Sequence, residues 1–484
     1  MPSTLLPIAT GFYESGSLPV SAQRGVNCFP HIPDATALNA ELVWGTPGIH
    51  QVATLGASAA QRNRGAHVLN GTPYFVNGNN LLRLEVDNTL TNLGTIENNI
   101  RVSMADNGIQ LMILVPGGKG YIFTESPDTL TEITDPDFRA SGNPQYVVFI
   151  DSFFCSVTDD NKFIISASND GLSYNALDFG TAESSPDAAR VPFVYKNQLF
   201  ILGETTVEAF TNTGGVDFPF QRSGLFLDEG VTAPFSVITA ENTFMWIGAG
   251  ENEGPAIWSL AGNDAAKIST QAVDNLLGDL SSDELASVYA WSYGEDGHYF
   301  VGFVLPTTVI VFDSSTGRWH ERLSRIANAD STFSNEAWRV ASIIQARGRI
   351  YVGDSKDGRI GVLDITAYRE YGEQIERWFV TQPFQANMMP FTVPRLELTV
   401  ESGVGNSDTV DPQVTLEISR DGGKTWGEPR ARSIGKQGEY KKRAVWRRNG
   451  RTARFDVYRF RCAAAVKFVA IQLTGDIQVT SVAA

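Results

Sequence analysis

The stretch GTPYFVNGNNLLRL, residues 71–84, holds the pattern on which the fold turns. An apolar run at 73–76 meets Asn-Gly-Asn-Asn, and a second apolar run at 81–84 follows at once. Gly78 can take the positive φ that a tight connection demands, so the two runs make a β-hairpin rather than one helix. The same plan recurs in GIQLMILVPGGKGYIF (108–123), QYVVFIDSFFCSV (145–157) and FVYKNQLFILGETTVEAF (193–210). It recurs again in NTFMWIGAGENEGPAIWSL (242–260), GHYFVGFVLPTTVIVFDSSTGRWHE (297–321) and GRIYVGDSKDGRIGVLDI (348–365). The strand cores Phe75, Ile113, Phe153, Phe200, Trp246, Tyr299 and Tyr351 lie 38, 40, 47, 46, 53 and 52 residues apart. That is the period of a four-stranded propeller blade. Seven hairpins predict six or seven blades, since one hairpin could belong to an insertion.

Outward from this repeat the chain changes character twice. Residues 1–40 are rich in Pro, Ser, Gly and Asn and lack periodicity, which predicts an extended N-terminal arm that serves assembly rather than folding. From 367 the strands lengthen: RLELTV, VTLEIS, FDVYRF and KFVAIQL alternate cleanly between long polar connections. They predict an antiparallel β-sandwich-like domain over 367–484 behind a propeller at 41–366. One helical interruption stands out, STQAVDNLLGDL (269–280), with Val273, Leu276, Leu277 and Leu280 on one face. Ser281 and Glu284 after it make a capping-box pattern. The fold class expected is all-β.

Composition narrows function. Charged residues are 19% of 484, and the formal net charge is −16. Residues 412–467 nevertheless hold 15 Lys and Arg against 5 Asp and Glu, leaving a balance of −26 on the remainder. An acidic body with one basic region suits a defined protein contact better than general nucleic-acid binding. Cys28, Cys155 and Cys462 are too few and too far apart for a disulfide framework, which fits a reducing cytoplasm. The first residues lack the basic and continuous apolar parts of a signal peptide, and the longest apolar runs are strand-sized.

Catalytic patterns are missing. His31, His50, His67, His298 and His320 form no H-x-x-x-H and no His/Cys metal spacing. PGGKG at 116–120 lacks the order of a phosphate loop, and DSKDGR and SNDG lack a calcium-loop spacing, so turns explain them. No cofactor and no metal are expected. SRDGGKTW, Ser419 to Trp426, fits the Asp-box pattern S-x-D-x-G-x-T-W of sialidases and other propellers. Its Ser419, Asp421, Gly423, Thr425 and Trp426 supply a turn, with Thr425 and Trp426 expected to begin a return strand, and no nucleophile, acid or base. A carbohydrate-binding or sialidase-like propeller is the alternative function, requiring an aromatic pocket with converging carboxylates or arginines.

The arm carries a further signal. GFY (11–13), then SAQR (21–24), Asn27, Phe29, Pro30 and a TPG turn (46–48) resemble the opening of the tail hub proteins of short-tailed bacteriophages. This family is also called tail nozzles or packaged DNA stabilization proteins. LDFGTAESSPD (177–187) with ILGETTVEAFTNTGG, the 297–321 segment, and VTLEISRDGGKTWGEPRARSIGKQGEYKKRAVWRRNG match it too. His31, Gly25 and Cys28 depart from the residues usual at those arm positions. The resemblance implies a structural virion protein: a ring of six copies below the portal and its adaptor, retaining packaged DNA and conducting it at ejection. It implies contact with the portal-adaptor protein, a tail needle or plug, and a tail fibre or tailspike. DNA would pass through the lumen without sequence-specific binding. The assembly contacts expected are Arg24, Asn27, Phe29 and Pro30 in the arm, and Lys441, Lys442, Arg443 and Trp446 in the basic segment. The place of action implied is the virion tail, after assembly in the bacterial cytoplasm.

Overall fold

The computed structural model describes residues 3–8, 11–33, 35–182, 187–215, 218–328 and 330–479. Residues 183–186 of the LDFGTAESSPD segment lie outside them. Residues 63–95, 103–132, 144–181, 189–227 and 238–267 each fold into a separate four-stranded antiparallel sheet. A sixth unit pairs Tyr289–Glu295, His298–Val304, Val309–Asp313 and Arg318–Ala327 in chain order. The seventh takes Val340–Ala346, Arg349–Asp354 and Arg359–Asp364, then borrows its outer strand, Gly48–Thr54, from upstream of the first blade. Of the two counts the sequence allowed, the pairing makes seven.

The cores say the same. Seven apolar clusters each sit between two neighbouring blades, from Tyr74, Ile113 and Phe123 between the first two to Phe75, Tyr351 and Ile360 between the last and the first. A blade buries both faces, which is why its hairpins read as near-continuous apolar runs instead of strict alternation. The hairpin Asn63–Leu69 to Thr72–Asn77 turns on Asn70 and Gly71, at φ of 50° and 76°. Two positive φ values in a two-residue connection match the twist of the strands on either side. Between blades five and six, helix Gln271–Gly278 buries Val273 and Leu277, with Leu276 and Leu280 partly covered. The capping box on Ser281 and Glu284 forms at the next helix, Ser282–Ala286.

The C-terminal residues make two sheets. One runs in the order Cys28–His31, Leu42–Gly45, Val469–Val479, Phe391–Val400, Ala444–Arg447. The other contains Arg377–Val380, Phe455–Cys462, Gln413–Ser419 and Arg430–Ser433. Their facing sides bury Leu396, Leu416, Trp446, Phe460 and Leu473.

The arm is not free. Thr4–Leu6 pairs with Val469–Val479, and Leu6 and Ile8 enter the sandwich core. Phe12 is buried with the helix between blades five and six. Ala22–Val26 lies between the propeller and the sandwich, bonded to Arg318–Ala327 on one side and Arg377–Val380 on the other. One continuous sheet therefore runs from blade six through the arm into the sandwich. The expectation was an arm that serves assembly and not folding; in the structure its apolar residues Leu6, Ile8, Phe12 and Cys28 lie within cores shared with the rest of the chain.

Candidate functional site

Three places gather the chemistry-bearing residues: the arm seam, the basic side of the sandwich, and the propeller axis. At the seam, Arg24 donates two parallel hydrogen bonds to Glu321, both 2.8 Å, and its guanidinium lies over Trp378. Glu321 is 1% exposed while Arg24 keeps one edge in solvent, so the pair is a half-buried fork that fixes the arm's register on blade six. Asn27 sits at a φ of 53°, a conformation Asn tolerates better than most residues. Its amide donates to the carbonyls of Leu323 and Glu376 and accepts from Leu323 N–H, all within 3.0 Å. Phe29 packs edge-on to His298 and Phe300, and Pro30 is buried in a strand paired with Leu42–Gly45. Three of the four arm residues expected at an assembly contact, Asn27, Phe29 and Pro30, are buried within this chain, and Arg24, its side chain 34% exposed, is bonded to Glu321.

Phe29 introduces a histidine cluster that the sequence hid. His31 Nδ1 lies 2.8 Å from His298 Nε2, and His298 Nδ1 lies 2.7 Å from Asp313 Oδ2. Asp313 can only accept, so His298 donates from Nδ1 and its Nε2 receives the proton of His31. Burial alone would raise the Asp313 carboxyl, but the bonds from His298 and Thr316 hold it below its usual value. His320 beside them is fully buried and is pushed down to about 3 by that burial and by Arg322. No local spacing could reveal this, since His31 and His298 are 267 residues apart.

On the sandwich, the Asp box is a turn built of its own bonds. Asp421 accepts from Thr425 N–H at 2.9 Å, from the Thr425 hydroxyl at 2.6 Å and from the Ser419 hydroxyl at 2.7 Å. These bonds hold its carboxyl far below the usual range. Gly423 donates back to Ser419, and Gly422 and Gly423 take φ of 79° and 102°. A Cβ on Gly422 would meet Pro19 at 2.7 Å, so the turn is also the floor on which the arm lies. The return strand begins at Arg430 rather than at Thr425, because Trp426 leaves the sheet to stack under Arg459.

Beyond it, Arg459 pairs bidentately with Glu417, and Arg443 with Glu397. Trp446, expected at an interface, is fully buried and donates to Arg430 O at 2.6 Å; it is a core residue. Lys441 and Lys442 are exposed, with Tyr440 76% exposed beside them. Among the described residues, Lys436, Lys441, Lys442, Arg447, Arg448, Arg451 and Arg454 show no ion pair. These cations carry the unneutralised charge of the basic segment, beside Arg430 and Arg432, which bond to Asn449 and to backbone carbonyls.

The axis of the propeller holds a cavity of about 480 Å³ at the starts of the innermost strands. Arg101, Tyr146, Phe235 and Tyr289 line it with Arg62 and Arg64. A second cavity of about 280 Å³ shares Arg101 and Phe235, so this pair stands across the axis. Neither lining includes an Asp or Glu among the described residues. Another sequence-silent carboxylate, Asp187, accepts the N–H groups of Glu204, Thr205 and Thr206 and so ties together two of the quoted segments.

Two family models match in tandem: bacteriophage P22 Gp10, β-propeller, over residues 4–368, and bacteriophage P22 Gp10, β-sandwich, over 376–478. The chain belongs to the bacteriophage P22 Gp10 family. Among curated proteins it is similar to tail hub protein gp10 of Salmonella phage P22, at 21% identity over 284 residues. That match spans 58% of this chain and 58% of the relative's length. Among solved structures it is similar to YCF48 from Cyanidioschyzon merolae, at 12% identity and TM-score 0.41, covering 65% of this chain and 98% of the other. The WD40 β-propeller domain of Doa1 aligns at 14% identity and TM-score 0.38, covering 66% and 97%. The Gp10 propeller model begins at residue 4, which places the arm strands inside the propeller part of the family.

Proposed function

We propose that this chain is a non-catalytic structural protein of a short-tailed phage virion, the tail hub. In this reading six copies form a ring below the portal and its adaptor, hold the packaged genome in, and line its exit path. The ring forms in the host cytoplasm and remains in the virion tail. Beyond it lie a needle or plug and a fibre or tailspike. The observation that carries the reading is the tandem match of both domains to the P22 Gp10 family. A closed ring needs one patch meeting a different patch on the next copy. The unneutralised cations around Lys441 and Lys442 and the acidic remainder of the chain supply complementary surfaces. The propeller axis, crossed by Arg101 and Phe235, is too filled with side chains for a duplex, so DNA passes between subunits. A lumen that releases DNA quickly gains nothing from many phosphate contacts, which favours a protein partner for the basic face.

The test begins with mass spectrometry of purified particles, where the chain must be present. Lys441→Glu with Lys442→Glu should then yield heads that lose DNA for want of a complete tail. Arg443 is kept, since its partner Glu397 lies within the same chain. Normal tails with altered ejection speed alone would place these lysines on the channel and end the interface reading. The carbohydrate-acting alternative meets an axial cavity lined by aromatics and arginines and, among the described residues, by no carboxylate, which gives no support to an acid–base pair there.

A further inference from the structure

The axial cavity presents a cation in want of an anion. Arg101 precedes the innermost strand of blade two and reaches across to blades five and six. Its guanidinium lies 4.1 Å from the ring centroid of Tyr289 and 5.5 Å from that of Phe235. Among the described residues no hydrogen bond or ion pair joins it to a carboxylate. Arg64, in contrast, is saturated: it donates to the carbonyls of Ile100, Gly78, Ile96 and Glu97. Asn63 is occupied likewise by Gly65 O, Asn77 and Ser342. Ser287 donates to Glu284 O. The polar groups left in the cavity are the Arg101 fork, the exposed Arg62, which gives one bond to Asn99 O, and the side chains of Asn99 and Ser355, while the rings of Tyr146, Phe235 and Tyr289 supply its aromatic wall.

We propose that this axial cavity binds a carboxylate carried on an apolar, ring-sized body, with Arg101 receiving the carboxylate. A guanidinium offers two parallel N–H groups that match the two oxygens of a carboxylate, and a poorly hydrated cation gains most from such a partner. The volume falls within the range of small-ligand sites, roughly 300–1,000 Å³. Tyr146 and Phe235 meet edge-on at 4.9 Å and leave ring faces to stack an apolar body. A sugar acid fits less well, because Asn63, Arg64 and Ser287 are already bonded and its many hydroxyls would find few partners beside Asn99 and Ser355.

The test uses benzoate and its neutral isostere benzamide as probes on the full-length protein, with binding followed by calorimetry and by melting temperature. Benzoate should bind and raise the melting temperature with concentration, while benzamide should bind roughly tenfold or more weakly. Arg101→Met should abolish the difference. Should that variant fold poorly, diffraction from wild-type crystals soaked in p-bromobenzoate keeps the proposal testable: anomalous bromine density between Phe235 and Tyr289 supports it. Equal binding of the two probes, no binding of either, or bromine density only elsewhere would overturn it. N-acetylneuraminate binding more tightly than benzoate would overturn the apolar-body assignment.

Discussion

Asp421 bonds within its own turn. Its carboxylate is exhausted by Thr425 and Ser419 within one turn. Asp421→Ala should therefore cost about 1–3 kcal/mol, seen as a lower denaturation midpoint with no loss of any turnover. The buried groups of blade six make a second prediction, in pH. His320, at about 3 in the fold against an ordinary 6.5, takes a proton only when unfolded, so its stabilisation is complete above pH 6.5 and declines as pH falls towards 3. Glu295, pushed up to about 7 by burial, holds a proton in the fold that the unfolded chain releases near 4.5, so its contribution declines as pH rises from 4.5 to 7. Each alone changes stability by up to about 1.4 kcal/mol per pH unit, and between pH 4.5 and 6.5 the two oppose. Melting temperatures across that window should fall with rising pH in His320→Gln and rise with it in Glu295→Gln. Identical slopes in both variants would refute the assignment.

Strands make the next level. The arm strands complete sheets that begin elsewhere, so shortening the arm removes core as well as reach. Leu6→Ala should cost about 2–5 kcal/mol, because Leu6 is 1% exposed within the sandwich. A chain beginning at residue 41 should be poorly soluble, having lost Phe12, Val26, Cys28 and Phe29 together. Arg24→Met should cost about 3–5 kcal/mol by leaving Glu321 buried without its cation, whereas Glu321→Gln with Arg24→Met together should recover part of that loss. Chemical denaturation of the single and the double variant measures this; equal losses in the two would mean that the fork does not act as a pair.

The whole molecule is held by two closures. Gly48–Thr54 joins the last blade to the segment before the first, and Ala22–Val26 joins blade six to the sandwich. The second binds the propeller to the sandwich through the arm, so calorimetry should show one transition rather than two. A sandwich that melts separately, with blade signals unchanged, would disprove this coupling.

The hairpin period, from residues 71–84 onward, determined the propeller by itself, because each blade is a local sequence of strand, turn and strand whose pattern needs no distant partner. The helix at 271–278, the capping box of the short helix after it and the Asp-box turn were legible for the same reason: every partner lies within a few residues. Blade number was not, since the seventh blade is complete only when Gly48 pairs with Asp364 across the chain. Nor were the roles of Arg24, Asn27 and Trp446. Arginine, asparagine and tryptophan are residue types found equally at interfaces and in satisfied interiors, and only the placement of Glu321, Leu323 and Arg430 against them decides which. The axial cavity was invisible altogether. Arg101, Phe235 and Tyr289 come from three blades, and a ring closed over seven sheets brings them to one point that no stretch of sequence encodes.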